Sequence, residues 1–280
     1  MVIAVGALAL MDACLKVLSP HYSAMQIASV RGISAWPFFL VWVALDGGFG
    51  QLLRIRLPLH LLRAAIGIMM LVTFTYGLRA LPLSEAYAIF FIAPLLITAL
   101  AALLLKERVD RARWMAIAIG FAGALIVLRP TGTGTFTLYG LSIFVCAIGY
   151  ALSALTVRVL SRTDTTQAMV FWLMTFIALG AGIFALPDWK PIQPDHWWVI
   201  GGIAVTGTVG QWAITEAFRR GQASFVAPFE YTALVWGVGL DWTLWRVLPG
   251  AITFLGAAVI IASGLYLIRR EEVHLEAEHP

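Results

Sequence analysis

Ten apolar windows, each long enough to cross hydrocarbon, follow one another along this chain with connections too short to fold alone. A bilayer core is about 30 Å thick and takes about 17–25 helical residues to span. Windows of that kind run over 2–18, 24–45, 60–79, 83–104, 111–128, 138–160, 166–186, 196–218, 224–244 and 248–268. Between them lie "SPHYS", "DGGFGQ", "LPLS", "RPTGTGT", "PDWKPIQPD" and "RRGQ", rich in the Gly, Pro and small polar residues that punctuate helices. Composition agrees: 61% of the 280 residues are hydrophobic and 12% charged, with mean hydropathy +0.88. A soluble domain is about 45–50% apolar and about 25% charged. The chain reads as an all-α integral membrane protein. The first window starts at Met1 with no cationic leader region and no A-x-A site, so it reads as a retained helix. The closing run "RREEVHLEAEHP" reads as a frayed, solvated tail.

The formal charge of +4 comes from cations scattered at the ends of apolar windows, which argues against a nucleic-acid partner. Cys14 and Cys146 sit inside apolar runs and offer neither a disulfide framework nor a metal site, so no metal or cofactor is expected. Placing the N-terminus in the cytoplasm puts thirteen Lys and Arg in inner connections and five outside, with Arg31 inside a helix. By the positive-inside rule both termini are then cytoplasmic.

The chain also echoes itself. At an offset of 140 residues, "LRALPLSEAYAIFF" from Leu78 falls on "FRRGQASFVAPFEY" from Phe218, matching Arg79 with Arg219, Ser84 with Ser224 and Phe91 with Tyr231. At 142, "KVLS" of the first window falls on "RVLS" of the sixth, pairing Lys16 with Arg158. Five windows per half is an odd number, so the second half enters the membrane the other way up. This is the 5+5 inverted repeat of secondary transporters, with a site near the midplane. It divides the chain into 1–130, 131–270 and a charged cytoplasmic tail, 271–280.

"ALPLSEAYAIFFIAPLLITALAALLLKERVDRARWMAIAIGFAGALIVLRP", Ala80 to Pro130, has a short loop, a helix with central Pro94, a Lys106-Glu107-Arg108 hinge and a Gly-rich fifth helix. It resembles the drug/metabolite transporter superfamily, and within it the EamA-type ten-helix exporters. The second copy, "QASFVAPFEYTALVWGVGLDWTLWRVLPGAITFLGAAVIIASG", is similar, but carries Trp245-Arg246 where that family has Gly-Glu before the proline. The resemblance implies a secondary transporter in the cell inner membrane, exporting small metabolites by alternating access. The aromatic content and the Asp12-x-x-x-Lys16 start are similar to exporters of amino acids, including aromatic amino acids and paraquat. Partners are then a small-molecule substrate, the lipid bilayer and H⁺. An exporter of drugs or quaternary cations is the alternative, and a non-transporting sensor or scaffold the rival class. No GxSxG, HExxH or paired-aspartate constellation supports an enzyme, and His21, His60, His196, His274 and His279 fall at helix ends or in the tail.

An ionisable group inside a span costs roughly 2.5–3.5 kcal/mol, so it tends to face the bundle interior. Asp12 and Lys16 share one helical face. They read either as an outer gate or as a pair that neutralises itself while Lys16 snorkels to the headgroups. Arg31 either meets a substrate carboxylate, caps backbone carbonyls or pairs with Asp12. Glu230, just past Pro228, is the candidate for proton coupling or for a substrate amine, with a structural hydrogen bond as the alternative. Tyr76, Tyr87, Phe90, Phe91, Trp172, Gln211, Trp212, Thr215 and Tyr231 complete the expected cavity. Pro94 and Pro228 are expected helix bends. Glu216 reads as part of a cytoplasmic ion cluster, and Glu85 and Asp241 as residues near outer ends, where solvation is cheap. "GFAGA" and "GAAVIIASG" read as close-packing faces.

Overall fold

The computed structural model describes residues 1–45, 49–52, 55–104, 111–128, 138–220 and 227–278. The Lys106-Glu107-Arg108 hinge and Arg129 lie outside the described residues, as do the side chains of Thr215, Glu216 and Pro228. All regular elements among the described residues are helical. They are α1 Val2–Leu18, α2 Ala24–Leu45, α3 Leu57–Leu78, α4 Leu83–Phe90, α5 Ala93–Leu104, α6 Arg111–Leu128, α7 Leu138–Leu160, α8 Thr166–Ala185, α9 Trp197–Arg220, α10 Ala233–Leu240 and α11 Ala251–Glu278. Short 3₁₀ segments include Phe49–Leu52 and Ala227–Thr232, and a π-helical turn spans Asp241–Trp245.

Local signals explain several boundaries. The Ser23 hydroxyl accepts the Gln26 amide at the start of α2, and the Thr165 hydroxyl accepts the Ala168 amide at the start of α8. Both serve the orphan donors of a helix's first turn. Five helical stretches, Ala24–Leu45, Leu57–Leu78, Leu83–Leu104, Leu138–Val157 and Thr166–Asp188, are long and apolar enough to cross a membrane, and Trp114–Leu128 and Ala251–Tyr266 are shorter apolar helices. The charged tail extends α11 to Glu278 in place of the frayed end expected from its composition.

The fourth window is broken rather than bent. A proline ring clashes with the carbonyl four residues back, which for Pro94 is that of Phe90, the last residue of α4. Phe91 and Ile92 turn, and α5 starts at Ala93. The ninth window is broken as well, into a 3₁₀ stretch, α10 and the π turn.

The helices pair as α1 with α9, α2 with α8, α3 with α7, α4 with α10 and α6 with α11. Exchanging the first five windows for the last five maps this set of pairings onto itself. Phe91 and Tyr231, the offset-140 mates at the two breaks, meet edge-on with ring centroids 5.1 Å apart. The Gly faces pack closely as expected: a methyl group added at Gly256 would lie 2.8 Å from the Gly123 carbonyl oxygen. A methyl at Gly32 would lie 2.8 Å from the Met174 carbonyl oxygen, where α2 crosses α8.

Candidate functional site

The bundle interior holds opposite charges on neighbouring helices. Asp12 on α1 accepts a hydrogen bond from the Tyr87 hydroxyl on α4, 2.8 Å away. Arg31 on α2 lies within electrostatic reach of Asp12 without an ion-pair contact among the described residues. Of the two readings of Asp12 and Lys16, mutual neutralisation does not occur: each finds a partner on another element, Tyr87 for Asp12 and Asp241 for Lys16.

Lys16 pairs with Asp241 at 3.2 Å. Asp241, expected near cheap solvation, is fully buried. It also accepts the Leu83 amide at 3.0 Å, the Ser84 amide at 2.8 Å and the Ser84 hydroxyl at 2.7 Å. The physical need is plain. Helix α4 starts after Pro82, which has no capping side chain, and its first amides would be orphaned in an apolar setting. A carboxylate from the end of α10 supplies the cap. Lys16 also stands over the Trp245 ring, 4.3 Å from its centroid. The π turn closes at Arg246, whose φ of 57° lies in the left-handed region.

Around Asp12 the aromatic residues pack on one another. Tyr87 stacks on Phe74 at 6.5 Å, and Phe90 meets Tyr150 edge-on at 5.2 Å. Glu230, half-buried, lies within electrostatic reach of Tyr150 and Tyr231. The buried Tyr231 hydroxyl has no hydrogen-bond partner among the described residues and abuts Gly264. Arg31 and Gln211 line a narrow cleft between α2, α8 and α9, with room for about one water. The aromatic rings near Asp12 pack on one another in this conformation.

Three expected cavity residues are elsewhere. Trp172 donates its indole N–H to the Leu52 carbonyl at 3.0 Å and stacks on Phe176. Trp212 is 52% exposed on the outside of the bundle. Tyr76 stacks on Tyr139 at 4.9 Å, close to Arg79. Trp172 and Tyr76 are taken up by packing within the protein, and Trp212, on the exposed surface, meets no penalty against lipid.

At the opposite end from Lys16, Asp164 in the α7–α8 connection plays a part that sequence reading missed. It is bonded to His60 Nε2 at 2.7 Å and accepts the Thr163 hydroxyl at 2.6 Å and the Arg56 amide at 3.3 Å. Burial would raise its pKa, but the bonds from Thr163, His60 and Arg56 outweigh it and hold the carboxyl below its ordinary value. His60 is fully buried, although it sits in the first turn of α3. Arg63, one turn further on, donates to the Met169 carbonyl at 2.9 Å. A histidine and an aspartate brought together over 104 residues leave no local signal.

An apolar helical bundle with paired halves, broken helices and an interior carboxylate and guanidinium defines a multi-pass membrane transporter. Comparison with known proteins is specific. The chain belongs to the EamA-like transporter family, whose model matches residues 1–129 and again 137–270. It is 33% identical over 214 residues to a riboflavin transporter of Vibrio cholerae, covering 76% of this chain and 72% of that protein. It is 27% identical over 263 residues to a pseudopaline exporter of Pseudomonas aeruginosa, covering 94% and 92%. An S-adenosylmethionine uptake transporter of Rickettsia prowazekii is 25% identical over 275 residues, covering 96% and 90%. A solved structure described as "Crystal structure of protein" superposes with a TM-score of 0.64 at 18% identity over 97% of each chain, a likeness of fold. The protein is therefore a secondary transporter, not an enzyme.

Proposed function

We propose that this transporter exports small amino-acid-like metabolites across the inner membrane by alternating access, as ten spans in a 5+5 inverted repeat with both termini cytoplasmic. The observation that carries the reading is the separation of Asp12 from Arg31: two opposite charges, close in the interior but not paired with each other. A zwitterion fits between them, its carboxylate on the Arg31 fork and its ammonium on Asp12, with Tyr87 free to release or retake Asp12 as the solute leaves or arrives. The exchange of halves that leaves the helix pairings unchanged, and the meeting of Phe91 with Tyr231, support the inverted repeat. Glu230 is the proton-coupling group, and Lys16 closes the outer side. Counterflow of radiolabelled amino acids in proteoliposomes tests the substrate class. If amino acids stay put while a quaternary cation exchanges, the drug-exporter reading replaces this one. Proton coupling is dropped if Glu230→Gln leaves transport driven by a pH gradient unchanged.

A second reading has its own support. Tyr87, Phe90, Phe91, Tyr150 and Tyr231 offer flat faces around the same charges, and the relative at 33% identity is a riboflavin transporter. An aromatic heterocycle belongs in the same counterflow panel. Riboflavin exchange that is lost in Phe90→Ala, with no amino-acid exchange, would favour it.

A further inference from the structure

We propose that Asp241 is a one-sided latch, a positioning residue that holds the Lys16 end of the transporter shut at rest and whose equivalent position in the other half of the sequence is an alanine. This rests on the alternating-access reading. Helices α4 and α10 pack on one another, and Phe91 meets Tyr231 at the breaks beside them. For the Lys16 end to open about that contact, α10 must part from α4 and α1. Asp241, at the end of α10, grips both: two backbone amides and a hydroxyl of α4, and the ammonium of α1. Asp241 is fully buried and Lys16 half-buried, so the bonds to α4 are shielded from water.

The exchange of halves that carries Ser84 to Ser224 and Lys16 to Arg158 carries Asp241 to Ala101. A serine and a cationic residue stand at the equivalent sequence positions, but an alanine stands where the carboxylate would be. The two closed states of the transport cycle are therefore unequal. One is held by a charged four-bond cap, and the other has no carboxylate at that position. An interaction made in only one of two states shifts the equilibrium toward it by its full differential strength.

The chain's only two cysteines provide the reporter. Cys146 is buried on α7, within electrostatic reach of Asp12, and Cys14→Ser leaves it as the sole thiol. A membrane-impermeant maleimide is applied to the full-length protein in sealed vesicles, from the Lys16 side and in the absence of any solute. Asp241→Asn is expected to raise the labelling rate by about tenfold, the shift that one hydrogen bond to a charged group commands. Labelling from the opposite side should fall. Ser84→Ala and Lys16→Met, which keep the carboxylate, should each raise the rate less, and they read the latch even if Asp241→Asn fails to reach the membrane. Unchanged labelling in these two variants overturns the proposal, as does faster labelling from the opposite side only. Because no solute is present, a wrong substrate assignment would leave this result standing. Conversely, full amino-acid counterflow alongside unchanged labelling would remove the latch and keep the transporter.

Discussion

The two ends of the bundle solve the same problem with different chemistry. At each, a carboxylate from a distant part of the chain accepts backbone amides where a helix begins: Asp241 takes those of Leu83 and Ser84 in α4, and Asp164 takes that of Arg56, the residue before α3. At the Lys16 end the charged partner is an ammonium, and the acid bridges α1, α4 and α10. At the other end the partner is an imidazole, and the acid joins α3 to the α7–α8 connection. An ammonium–carboxylate pair buried in this way is strong but leaves a stranded charge if half of it is removed. At the other end the acid's partners are an imidazole, a hydroxyl and a backbone amide, so losing it costs less.

The first way to break the comparison is Asp241→Ala. Leaving the Lys16 ammonium and two amides without their acceptor should cost about 3–5 kcal/mol, read as a large fall in the detergent melting temperature. A fall no greater than that of Asp164→Asn would erase the distinction between the ends. Asp164→Asn itself should cost about 1–3 kcal/mol. Its pH dependence sharpens the contrast. Since the folded state holds Asp164 below its ordinary value, its contribution is complete above the unfolded carboxylate pKa and disappears as the pH falls through the folded one. Melting curves of the wild type should therefore drop on the acid side below about pH 4, and those of Asp164→Asn should drop less. Tyr87→Phe belongs to neither end: it removes one bond to Asp12, costs about 1 kcal/mol in stability, and should change transport more than melting. Trp212→Leu, on the exposed surface, should stay within about 0.5 kcal/mol of the wild type and leave counterflow unchanged.

What could be read from sequence was whatever depends on periodic oil and local breakers. The limits of α2, α6 and α7 are those of their apolar windows, because a helix in this setting starts and stops where polar residues do. Pro94 marked the fourth window as irregular, and the carbonyl it displaces explains why the helix ends at Phe90. The polar contacts were less legible. Asp12 and Lys16 look like a pair in one dimension, yet their partners Tyr87 and Asp241 come from 75 and 225 residues away. Depth along its own helix places Asp241 near an outer end, while its burial is decided by α1 and α4. A signal did exist: a helix starting at Pro82-Leu83-Ser84 inside an apolar chain needs an acceptor, and no local side chain provides it. The same accounting of orphan amides would have led to Asp164 from Arg56.

The contact of Phe91 with Tyr231 has a consequence for how such a chain can change over time. Were each five-helix unit a separate gene product assembling in pairs, the residue at that contact would touch its own twin, and every mutation there would strike both sides of the contact at once. Joined in one polypeptide, the twins are free to differ. Here they differ by a single hydroxyl, without a hydrogen-bond partner among the described residues, the smallest departure from self-recognition that leaves the contact intact.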